Sequence, residues 1–453
     1  MSIILPAPTT MHELDNRPKR KWWYGVLGVL GLAVTVGVMF LGNSYSLTFN
    51  GFEMHGGPVI VNRARNPAIV VLTSHWETQR ITTGRRATSA NNFGELHWDV
   101  FALNATNLSQ QWTTRLATIR RGQRDVEATI LGLSHNTVWL MADGLMGLSL
   151  DDGSVVADAA SIEETNPQLR GVMPTTGRQL YFDDGLMLIA ADGRRWRVDD
   201  ETLRATLNTA TVPVKTSIMG VPVPRATDSL HVLPVSLTTQ TESFKSRDYV
   251  VGDTWYGMMH PSEVEMQRRD PHTQNFSSGI RFRLWRTPLR DTLDRFQNRV
   301  RRPLDFAPVP ASPEFLNGGL LTAPDLQGRK RVVGIANPTR FLVLHQDRID
   351  DAARHSLTCI TLDGRVCWNA PLDMRRTTSV SMLTKGNPQD WALIVTGEAN
   401  PQPDDKLVDE SGDDMPLLAR VNIADGKVTR FRFADIDFKA LNDSLIPYRS
   451  RKQ

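Results

Sequence analysis

Beyond residue 57 the chain is built of short apolar runs that stop at Asp-Gly or Asn-containing turns, and their period is that of strands, not of long amphipathic helices. Thr137 to Met141 leads through Ala142-Asp143-Gly144 to Leu145–Leu150, and Asp151-Asp152-Gly153 leads on to Ser154–Ala157, which predicts consecutive hairpins. Gln179–Phe182, Leu186–Ile189 and Arg194–Val198 repeat the pattern, with turns at Asp183-Asp184-Gly185 and Ala191-Asp192-Gly193. A third unit comprises Phe341–His345, Ser356–Leu362 and Arg365–Asn369 around Asp363-Gly364, and a fourth Trp391–Thr396, Leu417–Ile423 and Lys427–Phe433 around Asp425-Gly426. An earlier, less regular unit holds Ala68–Thr73, Trp98–Leu103 and Gln110–Leu116, with a polar excursion from Thr82 to Phe93. Turns near Asn107, Asp152, Asp192, Asp363 and Asp425 recur at roughly 40 to 60 residues where consecutive, the period of a four-stranded propeller blade. So many short antiparallel strands must hide their edges, and radial stacking does so. The pattern therefore predicts an all-β fold, a β-propeller of about six to eight four-stranded blades.

A different pattern precedes the strands. Trp22 to Gly42 runs without a charge, long enough at roughly 21 residues to cross a bilayer as a helix. Arg17, Lys19, Arg20 and Lys21 stand before it and no Lys or Arg appears again until Arg63, so the positive-inside rule puts residues 1–21 in the cytoplasm and exports the rest. The rival, a cleaved secretory signal, has a shorter apolar stretch of about 7 to 15 residues and a small-residue cleavage site. Trp22, Trp23, Tyr24 and Tyr45 suit the aromatic belts of a retained helix, and Phe40 to Tyr45 offers no Ala-x-Ala site. The expected plan is a transmembrane helix at 22–42, a linker at 43–57 and a propeller domain at 58–453. Its middle, Thr211 to Pro313, fits the strand pattern worst: Asp291–Arg302 reads as a helix, Pro303–Pro313 as a connector, and 286–313 as an irregular insertion, with a separate inserted domain as the alternative.

Composition narrows the class of partner. A net charge of +3 over 453 residues leaves no global footprint for nucleic acid, and Arg120-Arg121 and Arg299-Val300-Arg301-Arg302 read as solvated surface. The two cysteines lie in one predicted hairpin. A three-residue loop at Leu362-Asp363-Gly364 would pair Thr361 with Arg365 and Cys359 with Cys367, close enough for a disulfide in an exported domain, with two free thiols as the alternative.

Repeat residues resemble those of quinoprotein-like β-propellers, whose motif reads Ala-x-Asp-x-x-Thr-Gly-x-x-x-Trp. Ala102, Asn104, Asn107, Leu108 and Trp112 hold those offsets, as do Arg420, Asn422, Asp425, Gly426 and Arg430. Cys359, Thr361, Asp363, Gly364 and Trp368 keep the Gly-to-Trp spacing with one residue fewer before it. The resemblance implies that Trp112 and Trp368 pack between neighbouring blades. Through the anchor, Trp255-Tyr256-Gly257, Arg281-x-Arg283-x-Trp285, Phe315 to Gly319 and Phe341 to His345, the whole chain also resembles a group of bacterial proteins with one N-terminal membrane helix and such a propeller outside it. That likeness implies architecture and supplies no catalytic residue.

Candidate chemistry is sparse. Quinoprotein alcohol dehydrogenases use an adjacent Cys-Cys disulfide beside the cofactor, and the chain has no Cys-Cys, so no quinone, Ca²⁺ or other cofactor is expected. Gly132-Leu133-Ser134 and Gly147-Leu148-Ser149 lack the second glycine of a nucleophile elbow, and no His-Glu-x-x-His or phosphate-binding loop occurs. His75-Trp76-Glu77 and His97-Trp98-Asp99 flank the early excursion and suggest a metal pair, but the simpler expectation packs the tryptophans and leaves the histidines at a polar strand edge. Asp404 to Asp414 resembles a Ca²⁺ loop only in acidity. No catalytic or metal-binding residue is therefore assigned. The expected role is a binding platform for a protein or envelope component in the bacterial periplasm, held at the inner membrane, and the alternative is an enzyme or small-ligand binder using the propeller channel.

Overall fold

The computed structural model describes residues 43–61, 67–83, 92–120, 128–208, 245–269, 280–324, 330–332, 339–383, 391–399 and 415–445, with short gaps inside several of these ranges. The expected transmembrane helix at 22–42 lies outside the described residues. Among those described, no helix is long and apolar enough to cross a membrane. The chain divides into two units, residues 1–48 with 77–94 and residues 49–76 with 95–453. The described part of the smaller unit is extended strand.

The protein is predominantly β, in antiparallel sheets. The first sheet holds β1 (Asn43–Val61), β2 (Ala68–Thr83), β3 (Asn92–Asn104) and β4 (Gln110–Arg120), so the whole span expected as a linker, 43–57, is strand. The second holds β5 (Thr129–Ser134), β6 (Thr137–Met141), β7 (Leu145–Ser149) and β8 (Val155–Asp158); the third β9 (Leu180–Phe182), β10 (Leu186–Ile189), β11 (Arg195–Val198) and β12 (Ala205–Leu207). Helix α1 (Ala159–Thr165) joins these two sheets and is capped reciprocally by Asp158 and Ser161. The fourth sheet is larger: β13 (Lys245–Ser246), β14 (Asp248–Val251), β15 (Thr254–Met259), β16 (Arg281–Leu293), β17 (Arg299–Pro303), β18 (Ala307–Pro308), β19 (Phe315–Pro324), β20 (Lys330–Val332), β21 (Arg340–Gln346), β22 (His355–Thr361) and β23 (Val366–Met374). Helix α2 (Pro261–Arg269) lies between β15 and β16. The fifth sheet is β24 (Arg376–Leu383), β25 (Ala392–Ala399), β26 (Met415–Asn422) and β27 (Val428–Arg432).

Only Arg281↔Leu316 and Phe282↔Phe315 join β16 to β19, so the fourth sheet has two halves hinged at that pairing. Tyr256, Met258, Phe282 and Leu284 of one half pack against Phe315, Leu320, Phe341 and Val343 of the other. The segment expected as a helix, Asp291–Arg302, is instead the β16–β17 hairpin, with Arg290 opposite Arg302 and Leu293 opposite Arg299. Ladder hydrogen bonds here override a local composition that suits a helix.

One turn recurs. Asn104, Ser149, Asp199 and Asn422 each donate their N–H to the carbonyl five residues on and accept from the N–H four residues on, closing the β3–β4, β7–β8, β11–β12 and β26–β27 connections. The fourth residue after each is left-handed: Leu108, Gly153, Leu203 and Gly426 have φ of 60°, 73°, 55° and 74°. The repeat's turn in the third sheet is thus Asp199–Arg204, and Asp192-Gly193 closes only the β10–β11 hairpin. In the fourth sheet the turn is one residue shorter: Thr361 donates to Arg365 O, and Gly364 has φ of 89°.

Two tryptophans dock on these turns in the same way. Trp112 of β4 donates its indole N–H to Leu150 O at 3.1 Å, and Trp368 of β23 donates to Ile423 O at 3.1 Å. Each ring lies against the turn glycine of the following sheet, where a Cβ on Gly153 or Gly426 would come within 2.5 or 2.6 Å of it. Apolar cores continue the stacking. Val100 and Trp112 share a core with Val138 and Leu148, Trp139 with Leu188 and Trp196, Leu344 and Leu357 with Leu393 and Leu417, and Phe101 and Leu103 with Ile394 and Leu418. First packs on second, second on third, fourth on fifth, and fifth on first.

The cysteine hairpin departs from the expected register. A bulge between Cys359 and Ile360 puts Cys359 opposite Trp368 and Ile360 opposite Val366, leaving Cys367 as the extra residue. Both are free thiols in the structure, Cys359 buried and Cys367 exposed. Burial and the neighbouring Cys367 push the Cys359 thiol up to about 12.

Candidate functional site

Strand direction sorts the connections by end. The docking turns and their tryptophans occupy one end of the sheets, while two long, partly described connections, β8 to β9 and β15 to β16, leave from the other. Asn400 to Asp414, which includes the acidic stretch, lies outside the described residues.

Polar side chains gather at that second end. In the fourth sheet His345 Nε2 lies 2.8 Å from Thr358 Oγ1, Thr358 Oγ1 lies 2.9 Å from Asn369 Oδ1, and His355 Nδ1 lies 2.7 Å from Thr377 Oγ1. In the fifth, Thr396 Oγ1 is within 2.5 Å of Ser379 Oγ and 3.1 Å of Thr378 Oγ1. His260 caps α2, its Nδ1 accepting from the Ser262 N–H at 3.2 Å, while Glu263 accepts from the His260 N–H at 3.1 Å. The Ser262 Oγ lies 2.6 Å from the same His260 Nδ1, so both contacts belong to the first turn of α2.

The densest cluster is in the first sheet. Asp99 of β3 and Arg115 of β4 lie opposite one another and form a bidentate pair at 2.8 and 3.0 Å, both buried. His75 of β2 places Nδ1 3.6 Å from Asp99 Oδ2, its ring 5.1 Å from that of His97 and 4.6 Å from that of Phe438, with 0% exposure. Desolvation, reinforced by His97 and Arg115, lowers the His75 pKa to about 2 and holds the ring neutral. Asp99 does not reverse this, because the bidentate Arg115 already balances its charge. On the opposite face His55 Nε2 lies 2.7 Å from Ser74 Oγ, and the His55 ring leans on Trp98 at 4.4 Å.

His75 and His97 are thus buried in a shared polar layer, and the expectation of a polar strand edge is corrected. Period-two parity carried the signal: Ile69, Val71, Thr73 and His75 share a face, as do Phe101, Asp99 and His97, so the imidazoles inherit the burial of the phenylalanine. Arg115 escaped notice because a bulge at Leu116 sets which β4 residue faces Asp99, and Phe438 because its partner His75 is distant in sequence. Enclosure limits the chemistry. A general base must reach its substrate, and neither His75 nor Asp99 touches solvent. Among the described residues no group of three or more His, Cys, Asp or Glu is placed to hold a metal ion.

An open cleft of about 610 Å³ is lined by Gln110, Arg430, Arg432, Asp435, Asp437 and Leu441 among others. Arg430 there is tied to Asp373 at 2.8 Å. No protein-family model matches the chain, and no curated protein matches it.

Proposed function

We propose that the chain is a membrane-tethered β-propeller whose exported domain binds a protein or envelope component in the periplasm through the strand ends opposite the docking turns. One observation carries the reading: the long connections and the imidazole and hydroxyl side chains leave from the same ends of successive sheets, whereas the other ends are closed mainly by short repeated turns. Rigid stacked sheets hold such connections at fixed spacing, so recognition residues vary without disturbing the core. The propeller itself is supported by the recurrent Trp-on-turn docking and by the core shared between the fifth and first sheets. The two halves of the fourth sheet then count as separate blades, for six in all among the described residues.

A photo-crosslinking side chain at Ser262 or Arg348, on the connection-rich ends, tests this in intact cells against one at Asp152 or Asp425, on the turn ends. A discrete crosslinked species from the first pair alone is the expected result. Equal crosslinking from both pairs, or substrate turnover by the purified protein that His345→Ala abolishes, overturns the binding-platform reading.

A further inference from the structure

The chain does not end with β27. It crosses back over the first sheet, where Phe433 and Phe438 are buried at 0% and 2% exposure in the core that joins the first and fifth sheets. Asp437 starts a turn of helix there: its side chain accepts from the Ala440 N–H at 3.0 Å, its carbonyl from the Leu441 N–H at 2.9 Å. Phe438 covers His75, with Phe52 of β1 completing the aromatic lid 5.4 Å from Phe438 and 6.1 Å from His75. The outer residues of the same segment, Asp435, Asp437, Ala440 and Leu441, line the 610 Å³ cleft.

We propose that His75 is an acid-responsive latch: proton uptake by its ring frees the Phe438 segment from the first sheet, reshaping the cleft and admitting solvent to the Asp99–Arg115 layer. The inference is independent of what the domain binds. Charged and titratable neighbours face His75 from two strands, His97 and Asp99 from β3 and Arg115 from β4. From β1 the group beside it is Phe52, whereas Glu53 points outward at 72% exposure. The covering segment presents Phe438 and keeps Asp435 and Asp437 exposed. From the fifth sheet Arg420 is directed to Ala105 O at 2.9 Å.

While the segment is closed, the ring takes no proton until about pH 2; once the segment lifts, water removes the desolvation and the midpoint rises toward the ordinary 6.5, with His97 and Arg115 still opposing the charge. The open form therefore gains protons, and population, as pH falls below 6.5, and the effect is absent above it. Between pH 7.5 and 5.0 the opening equilibrium should rise by up to about 30-fold.

Hydrogen exchange of the full-length protein, corrected for intrinsic rates, reads this directly. The Phe438 to Leu441 amides should exchange several-fold and up to about 30-fold faster at pH 5.0 than at pH 7.5 while Leu393–Thr396 of β25 stay protected. His75→Phe, whose ring suits the aromatic lid, should remove the difference. Phe438→Ala, which leaves His75 in place, should open the segment at both pH values and also collapse the ratio. An unchanged ratio near one in the native chain, a ratio that survives His75→Phe, or parallel acceleration of β25 overturns the latch.

Discussion

The glycine at each docking turn is fixed twice, by backbone conformation and by the ring above it. Gly426 has φ of 74° and no room for a Cβ against Trp368, whereas Gly193, at φ of 81°, faces open space. Gly426→Ala should therefore destabilise more than Gly193→Ala, whose cost is about 1 kcal/mol of conformational strain alone. Trp368→Ala and Trp112→Ala each remove a ring seated between sheets and should cost about 3 to 5 kcal/mol in urea unfolding. A loss below about 1 kcal/mol at either tryptophan would show that the docking contributes little. Trp368 was legible in the sequence because the Gly364-to-Trp368 spacing is local, and Trp112 because its copy keeps the same offsets with Leu108 in the glycine's place. What hid the third sheet's copy is substitution: Leu203 occupies the left-handed position where the motif has glycine, and the turn was read at Asp192 because Asp-Gly is the more obvious signal. Leu108 bears the strain because its side chain is buried in the core between the first and fifth sheets, so Leu108→Gly should relieve the backbone yet still destabilise.

Within the first sheet, β3 and β4 carry a charge pair where neighbouring positions carry Val100, Phe101 and Leu116. Arg115→Ala leaves the Asp99 carboxylate buried and unpaired, a loss of about 3 to 5 kcal/mol, while the joint replacement Asp99→Leu with Arg115→Met should recover most of it. A double variant as unstable as the single one would mean that the pair is needed for register and not merely tolerated. A bulge at Leu116 of β4, opposite the Trp98–Asp99 step of β3, is the device that brings the two charges opposite one another. Bulges are what the sequence concealed most effectively, since one inserted residue resets the facing of everything beyond it. The same effect displaced the cysteine register, although Thr361, Arg365 and the left-handed Gly364 fall where the pattern placed them. The β16–β17 hairpin was concealed for another reason: Asp291 to Arg302 has the composition of an exposed helix, and only the pairing of its own two ends, Asp291 with Arg301 and Leu293 with Arg299, decides otherwise.

For the whole molecule, the alternation of short strands and turns was enough to read an all-β chain, because strand period and turn chemistry are written locally. The packing of the fifth sheet on the first was not readable, since it joins Ile69 and Phe101 to Ile394 and Leu418 across most of the sequence. Compartment is the remaining molecular-scale property, and the cysteine hairpin reports it. Buried Cys359 has its thiol pushed up to about 12, so in a reducing compartment alkylation should reach only exposed Cys367. In an oxidising one the adjacent sulfurs should close a crosslink, and both should resist alkylation until reductant is added. Fusion of a cytoplasm-only reporter after Gln453 supplies the independent arm. The proposed topology, with residues 1–21 inside and 43–453 exported, predicts a silent reporter together with two blocked thiols. A bright reporter with Cys367 freely alkylated would sink the exported assignment; a silent reporter with Cys367 freely alkylated would keep the topology and sink only the crosslink.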